Sequence, residues 1–408
     1  MTLRKSARHA ALLLLFLLLS PVISPTGYTD VPTPEECTIG AAAGSATTDG
    51  RPMIWKTRDW RDENNEIHWV RGQEYAFLSI AGTSPRSTLL GINEAGFAIL
   101  NAVAPDLPGG SGGLNNSSVQ HLALGTCATV DEFVALLEET NRSGRSTQAN
   151  LAVMDANGRA VMIEAAANDF WVYDTADRSV APDGYVLRTN FAVNGGGRGG
   201  IERFRRTTEL VRGFHAAGEL NPRSILRIQM RDLTDQRGRP VEIPWAGRWS
   251  DETPPGWIEA NHSICRPSTV SATVFQGIHA GEPVQLSTMW TMLGQTAAAI
   301  TVPYWPVGPV PPEVDGTPTA PLCDASLRIK RIIFGENRMR SFINTNLLRD
   351  GAGGGLWPVI FAAEDSVLAA AEELQADWRR DLPAAEEMLA AEGAFARYAL
   401  SILRAWQP

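Results

Sequence analysis

The sequence predicts an α+β fold in which antiparallel strands form two sheets that are faced by helices. Short apolar runs typical of strands recur between residues 37 and 301, and turn dipeptides such as Asp49-Gly50 and Asn157-Gly158 join some of them. Apolar residues at helical spacing occur in only a few segments of this region, whereas they dominate after residue 322. We therefore expect a helical extension at the C-terminal end.

The composition is that of a globular protein. Of the 408 residues, 44% are hydrophobic and 20% are charged, so the chain as a whole is not disordered. A formal net charge of -9 leaves no basic face for nucleic acid.

The N-terminal segment predicts export. Basic residues near the start precede the apolar run from Ala10 to Leu19, which is too short to span a bilayer as a mature helix. We interpret residues 1–24 as a signal peptide and 25–36 as a polar, protease-accessible leader, so the mature protein is expected to be secreted or periplasmic without stable membrane insertion. A retained membrane anchor is the alternative.

The residues after the leader predict a β-hairpin. If Asp-Gly forms its two central turn residues, Asp59 lies opposite Gly40, about 10 Å along the strand from Cys37. Lys56 and Arg58 return to the same neighbourhood.

Further strands and three helical segments follow in the main domain, which we place at residues 37–301. A capping box, Thr129 to Glu132, opens one helix. Apolar spacing predicts helices over Ile201 to Ala217 and Pro222 to Leu233. Strands are predicted at 76–80, 88–93, 97–101, 150–155, 160–164, 170–173, 185–190, 270–275 and 284–290.

Proline marks the boundary of the C-terminal part. The run from Val302 to Pro321 is rich in proline and is expected to lack regular structure, which predicts a linker over residues 302–322. A helical region at 323–408 follows, with helices predicted at about 325–348, 359–378 and 383–406.

Cysteine and histidine spacing does not indicate a metal centre. The four cysteines are far apart and the six histidines lack the spacing of a zinc site, so we expect no metal and no cofactor. In an exported chain one disulfide is expected among the last three cysteines, and Cys265 with Cys323 is the pairing we favour.

Cys37 becomes a distinctive group if the chain is cut in front of it. Its thiol and its own α-amino group then belong to one residue, and an amine with a pKa near 8 is a built-in base for the thiol. Such a nucleophile needs no histidine.

Several short motifs, in their order, resemble one family. They are Cys37-Thr38, Lys56-Thr-Arg-Asp59-Trp60, Gly91 to Asn101, Val186-Leu-Arg-Thr-Asn190 and Arg203-Phe-Arg-Arg206. Together they resemble the linear amide C–N hydrolases, which include choloylglycine hydrolase, penicillin V acylase and the isopenicillin N acyltransferase group. The resemblance spans Cys37 to Trp305 and implies a four-layer αββα sandwich of the N-terminal-nucleophile (Ntn) hydrolases.

The resemblance also implies roles for single residues. Cys37 would be nucleophile and base, Asp59 would hold its amine, and Asn101 and Asn190 would serve the oxyanion hole and orient the amine. Arg203 would complete the charge arrangement. Where the bile-salt enzymes carry arginine this chain has Lys56, so Lys56 and Arg58 are both candidates for the cation that acts on substrate.

The implied reaction is hydrolysis of a linear amide in a small N-acyl substrate through a thioester. Acyl transfer with the same nucleophile is one alternative, and a secreted protein that retains the fold without catalysis is another. A third is a papain-like enzyme that uses His262 as its base. Substrate identity, the agent of processing and homo-oligomer formation stay open.

Overall fold

The computed structural model describes residues 36–82, 87–316 and 319–408. The predicted signal peptide and all of the predicted leader except Glu36 lie outside the described residues. Among the helices of the described residues, none combines the length and apolar content that crossing a bilayer requires.

A six-stranded antiparallel sheet carries Cys37. In spatial order it contains β10 (Tyr185–Arg188), β1 (Glu36–Ala42), β2 (Met53–Asp59), β12 (Thr269–Gln276), β13 (Thr288–Leu293) and β14 (Val302–Tyr304). Because β1 and β2 are inner strands, both lie between hydrogen-bonded neighbours, which holds their side chains in place.

A seven-stranded antiparallel sheet forms the second layer, with neighbouring strands in chain order. It contains β3 (Glu66–Arg71), β4 (Ala76–Ala81), β5 (Leu90–Asn93), β6 (Ala98–Val103), β7 (Ala149–Met154), β8 (Ala160–Ala165) and β9 (Phe170–Asp174). The predicted turn at Asn157-Gly158 connects β7 to β8, and Gly158 has a φ of 87°, which favours glycine.

The two sheets pack face to face. Ile39 and Ile54 of the first sheet share one apolar core with Leu100 and Met154 of the second. Alternation along each strand sends every second side chain into this core and the others toward the helices.

Helices cover both outer faces. On the seven-stranded sheet lie α1 (Asn116–Thr126) and α2 (Val130–Ser143), and on the six-stranded sheet α3 (Ile201–Ala217) and α4 (Pro222–Arg227). The later helices are α5 (Pro321–Ile333), α6 (Thr345–Leu348), α7 (Leu356–Trp378) and α8 (Ala385–Ala405), and a two-stranded ribbon pairs β11 (Trp257–Glu259) with β15 (Phe342–Asn344). The predicted αββα sandwich is confirmed.

The hairpin register differs from the prediction. Glu36, and not Gly40, lies opposite Asp59. The connection runs from Ala43 to Pro52 and contains a 3-10 turn, and the hydroxyl of Thr47 donates to the carbonyl of Arg51 at 2.8 Å. This longer loop moves Asp59 closer to Cys37 than a two-residue turn would.

Two expectations about the C-terminal part are wrong. Val302–Tyr304 form a strand, which Pro303 permits because β14 is an edge strand and lacks a partner on one side. The helix expected to continue to residue 348 ends at Ile333, because the chain then forms β15 beside β11. Both helices that follow are confirmed. The division into domains at residues 301 and 322 stays a prediction.

The favoured disulfide is absent from the described residues, which include all four cysteines. Cys265 and Cys323 are both buried in one apolar core but have different polar partners: the Cys265 thiol donates to Gln295 Oε1 at 3.3 Å, and that of Cys323 donates to the carbonyl oxygen of Glu63 at 3.4 Å. Each thiol therefore has its own polar partner.

Candidate active site

Cys37 is fully buried near the beginning of β1, between β10 and β2. Arg58 lies directly opposite it on β2, and Asp59 lies opposite Glu36. Residues opposed in an antiparallel pair point to the same face, so Cys37 and Arg58 share one face while Glu36 and Asp59 share the other.

The face of Cys37 is the one between the sheets. Lys56, two residues before Arg58, shares that face, and its Nζ donates to Asn101 Oδ1 of β6 at 2.8 Å. Both side chains are buried. The thiol and two predicted cations therefore face the space where the sheets meet.

Asn190 holds the backbone of Cys37. Its Oδ1 accepts from the backbone nitrogen of Cys37 at 2.8 Å and from Arg203 Nη2 at 2.9 Å, while its Nδ2 donates to the carbonyl oxygen of Val103 at 2.9 Å. Asn190 follows β10 and Val103 ends β6, so this one amide connects the two sheets at Cys37.

Arg203 lies in the first turn of α3 and reaches the other side of Cys37. Its Nη1 donates to the carbonyl oxygen of Cys37 at 2.6 Å and to Thr38 Oγ1 at 3.0 Å. Its Nη2 also contacts Glu36 Oε2 at 3.2 Å. Burial lowers the pKa of this guanidinium, and the nearby charge of Asp59 partly offsets the effect. Arg203 therefore anchors the first residues of β1 to the helix layer.

Asp59 is buried, and only one of its two carboxylate oxygens accepts a hydrogen bond from the described residues. Thr269 Oγ1 donates to Oδ1 at 2.7 Å, whereas Oδ2 accepts no hydrogen bond from the described residues. Burial raises the pKa of Asp59 to about 7, although the charge of Arg203 and the Thr269 hydrogen bond oppose it. A buried carboxylate oxygen without a hydrogen bond is suited to accept one from a further donor, preferably a cationic one.

Asn101 presents a preoriented amide nitrogen. Because Lys56 donates to its Oδ1, the Nδ2 group points elsewhere, and within the described part of the chain it donates to no protein acceptor. A buried amide donor held in this way can stabilise negative charge that develops on a reacting oxygen.

The structure therefore brings together all seven predicted residues. Cys37, Asn190, Arg203 and Glu36 are linked by direct hydrogen bonds or ion pairs, and Lys56 is bonded to Asn101. Arg58 is placed by strand pairing and donates to Asn65 Oδ1 at 2.9 Å.

Arg266 and Thr269 were missed by the sequence analysis. Arg266 contacts the carboxylate of Glu36 and lies 4.0 Å from Asp59 Oδ2, and burial lowers its pKa to about 10. Thr269 is the first residue of β12 and pairs with Asp59 of β2, and Arg266 lies three residues before that strand. The sequence signals a strand here but not its partner, so nothing in it indicated their position.

His262 lies apart from this cluster. Its side chain is 59% exposed, and its ionic neighbour is Glu259 at 3.7 Å. This position disfavours the papain-like alternative, which needs the histidine beside the thiol.

One family model matches the chain over the part that contains most of these residues. The family described as acyl-coenzyme A:6-aminopenicillanic acid acyl-transferase matches residues 46–236. The predicted resemblance is confirmed. The span matched by this acyl-transferase family includes Asp59, Asn101, Asn190 and Arg203, and it begins after Cys37. No curated protein matches the sequence.

Solved structures of three enzymes show remote likeness. Penicillin V acylase from Agrobacterium tumefaciens is 17% identical, with 66% of this chain and 85% of that chain covered and a TM-score of 0.40. A mutant of conjugated bile acid hydrolase from Clostridium perfringens is 12% identical, with 63% and 89% covered and a TM-score of 0.38. The Caenorhabditis elegans ortholog of N-acylethanolamine-hydrolyzing acid amidase is 16% identical, with 63% and 99% covered and a TM-score of 0.38.

Proposed function

We propose that this protein is an exported N-terminal-nucleophile enzyme that cleaves a linear amide bond in a small N-acyl substrate. Cys37 becomes the nucleophile once the residues before it are removed. The observation that carries the proposal is the network around the Cys37 backbone, where Asn190 binds its nitrogen and Arg203 binds its carbonyl oxygen. A structural cysteine in a strand does not need side chains that hold both of its backbone groups.

The Oδ2 atom of Asp59, which is available to accept a hydrogen bond, supports the same proposal. Cleavage before Cys37 converts an amide nitrogen into an amine that carries additional N–H donors. Asp59 lies on the adjacent strand, opposite the residue that would be removed, and its Oδ2 accepts no hydrogen bond from the described residues. We infer that Asp59 orients the new amine by accepting a hydrogen bond from it once the chain has been cut.

The proposed cycle uses the two groups of Cys37 in turn. The α-amine takes the thiol proton as the sulfur attacks the amide carbon, and Asn101 Nδ2 donates to the oxyanion that forms. The tetrahedral intermediate collapses when the amine passes that proton to the leaving nitrogen, which produces a thioester and a free amine. Water then attacks the thioester while the α-amine accepts its proton, and the second tetrahedral intermediate breaks the C–S bond, which releases the carboxylic acid and returns the proton to the Cys37 sulfur.

Acyl transfer is the second candidate, and the acyl-transferase family match favours it. The first half of the cycle is unchanged, but an acceptor amine attacks the thioester in place of water. Supplying amine acceptors at increasing concentration separates the two, because a transferase forms amide product at the expense of free acid.

A pair of matched variants tests the nucleophile. Cys37→Ala removes the proposed sulfur, and Cys127→Ala removes another buried thiol, which packs in the apolar core of the other sheet and lies 3.8 Å from Thr126 Oγ1. N-acyl amino acids, penicillins, bile-salt conjugates and N-acyl homoserine lactones serve as substrates, with release of amine as the readout. We expect Cys127→Ala to retain turnover and Cys37→Ala to lose it.

N-terminal sequencing of the active protein provides the independent check. The proposal requires a mature chain that begins at Cys37, with the amine released. A fully active chain that begins upstream, or full turnover by Cys37→Ala, contradicts it and favours the non-catalytic alternative or another nucleophile. The same sequencing on protein exported by its native leader tests the signal peptide at residues 1–24.

A further inference from the structure

A second cluster of ionisable side chains lies at the edge of the seven-stranded sheet, apart from Cys37. Glu66 and His68 are two residues apart on β3 and therefore share a face. The segment after β14 runs beside them, where the backbone nitrogen of Ile67 donates to the carbonyl oxygen of Val314 at 2.9 Å. That backbone bond places Asp315 next to both side chains.

The three side chains converge on the ring of His68. Its Nε2 is 3.3 Å from Glu66 Oε2, and its Nδ1 is 3.4 Å from Asp315 Oδ1. One ligand atom from each residue lies within 4.8 Å of the others. Two ligands of a tetrahedral zinc ion, each about 2.1 Å from the metal, are roughly 3.4 Å apart. His68 Nε2 and Glu66 Oε2 already have about that spacing, and rotation of the half-exposed Asp315 carboxylate completes the set.

The cluster has more negative than positive charge. Two carboxylates face one imidazole, which supplies at most one positive charge, and within the described residues Glu66 forms an ion pair with no arginine or lysine. The Nε2 atom of His68 is buried yet makes no hydrogen bond with any residue that the structure describes. A bound cation would satisfy both the charge excess and this nitrogen.

The site opens into a cavity of about 540 Å³. His68 and Asp315 line it together with His121, whose Nδ1 is 2.9 Å from Thr88 Oγ1. The cavity has room for water molecules, which commonly complete the coordination of an ion that has three protein ligands.

We propose that Glu66, His68 and Asp315 bind a divalent transition-metal ion, with Zn²⁺ as the best match to one imidazole and two carboxylates. The ion would fasten the segment around Asp315 to β3 and has no step in the chemistry at Cys37. The sequence offers no reason to expect a metal because its histidines and cysteines lack the close spacing of a zinc site, whereas here one ligand lies more than 200 residues from the other two.

Calorimetric titration of the metal-free, tag-free protein with ZnCl₂ tests the site. We expect one ion to bind per chain. His68→Ala should abolish binding, and Asp315→Asn should weaken it roughly tenfold or more, since even outer partners of metal sites act on that scale. His262→Ala is the matched control, because His262 also lies beside a glutamate but is not part of a group of three possible metal ligands among the described residues.

Folding of each variant is checked by its melting temperature without metal. If His68→Ala does not fold, Asp315→Asn decides, because this side chain is half-exposed and its replacement is isosteric. Saturable binding that the His68 and Asp315 variants lose and His262→Ala retains supports the site. If the parent protein does not bind Zn²⁺, or if His262→Ala loses binding to the same extent, the proposed metal site is wrong. This conclusion does not depend on whether Cys37 is found to be the nucleophile.

Discussion

Replacing Asp59 by asparagine should change how the stability of the uncut chain depends on pH. Burial raises the pKa of this carboxyl from 3.8 to about 7 in the folded chain. Between these two values the folded state binds more protons than the unfolded state, so stability falls as pH rises, and the fall levels off above pH 7. Asparagine does not titrate and removes this dependence.

The size of the effect follows from the two pKa values. Linkage with an unfolded pKa of 3.8 and a folded pKa of about 7 gives a loss of about 2.5 kcal/mol in the free energy of unfolding between pH 5 and pH 8. The free energy of unfolding of Asp59→Asn, measured relative to that of the parent, should therefore be about 2.5 kcal/mol higher at pH 8 than at pH 5.

Urea unfolding followed by tryptophan fluorescence measures this difference. Parent and variant both carry Cys37→Ala, and intact mass confirms that the bond before residue 37 remains. Asp235→Asn is the control: hydrogen bonds from Arg239 outweigh partial burial and hold the pKa of Asp235 below its usual range, so its effect should not change between pH 5 and 8. If the Asp59→Asn difference also stays constant, the carboxyl is ionised throughout and the reasoning is refuted.

Three further predictions concern the surroundings of the site. Thr269→Val removes the 2.7 Å hydrogen bond to Asp59 and should lower the free energy of unfolding by about 1 kcal/mol. Because that bond lowers the pKa of Asp59, the fall in stability should extend to higher pH, and an unchanged series of urea unfolding curves contradicts the prediction. Glu36→Gln removes the carboxylate that pairs with two guanidinium groups, so the uncut chain should melt at a lower temperature while the cut protein, which lacks this residue, should not change. Alkylation in denaturant without reductant should label all four cysteines, because Cys265 and Cys323 form no disulfide. Labelling of only two cysteines would show that a disulfide is present after all.

Local signals were sufficient for the elements whose bounds depend on neighbouring residues. The helix Ile201–Ala217, the capping box at Thr129 and the turn at Asn157-Gly158 all appear as predicted. Each depends on contacts within a few residues, which the sequence displays directly. Long-range pairing escaped the same reasoning, as β15 shows: it interrupts a predicted helix only because β11 lies beside it.

The amino-acid sequence by itself predicted an α+β fold, because the periodicity of apolar residues is a local property, and the resemblance of its short motifs to the linear amide C–N hydrolases supplied the candidate site residues. Only the tertiary structure decided which groups meet. It set Asp59 opposite Glu36, brought Asn190 to the nitrogen of Cys37, and added Arg266. Burial and strand pairing act between residues far apart in the chain, and they alone place one oxygen of Asp59 where it is buried and accepts no hydrogen bond from the described residues.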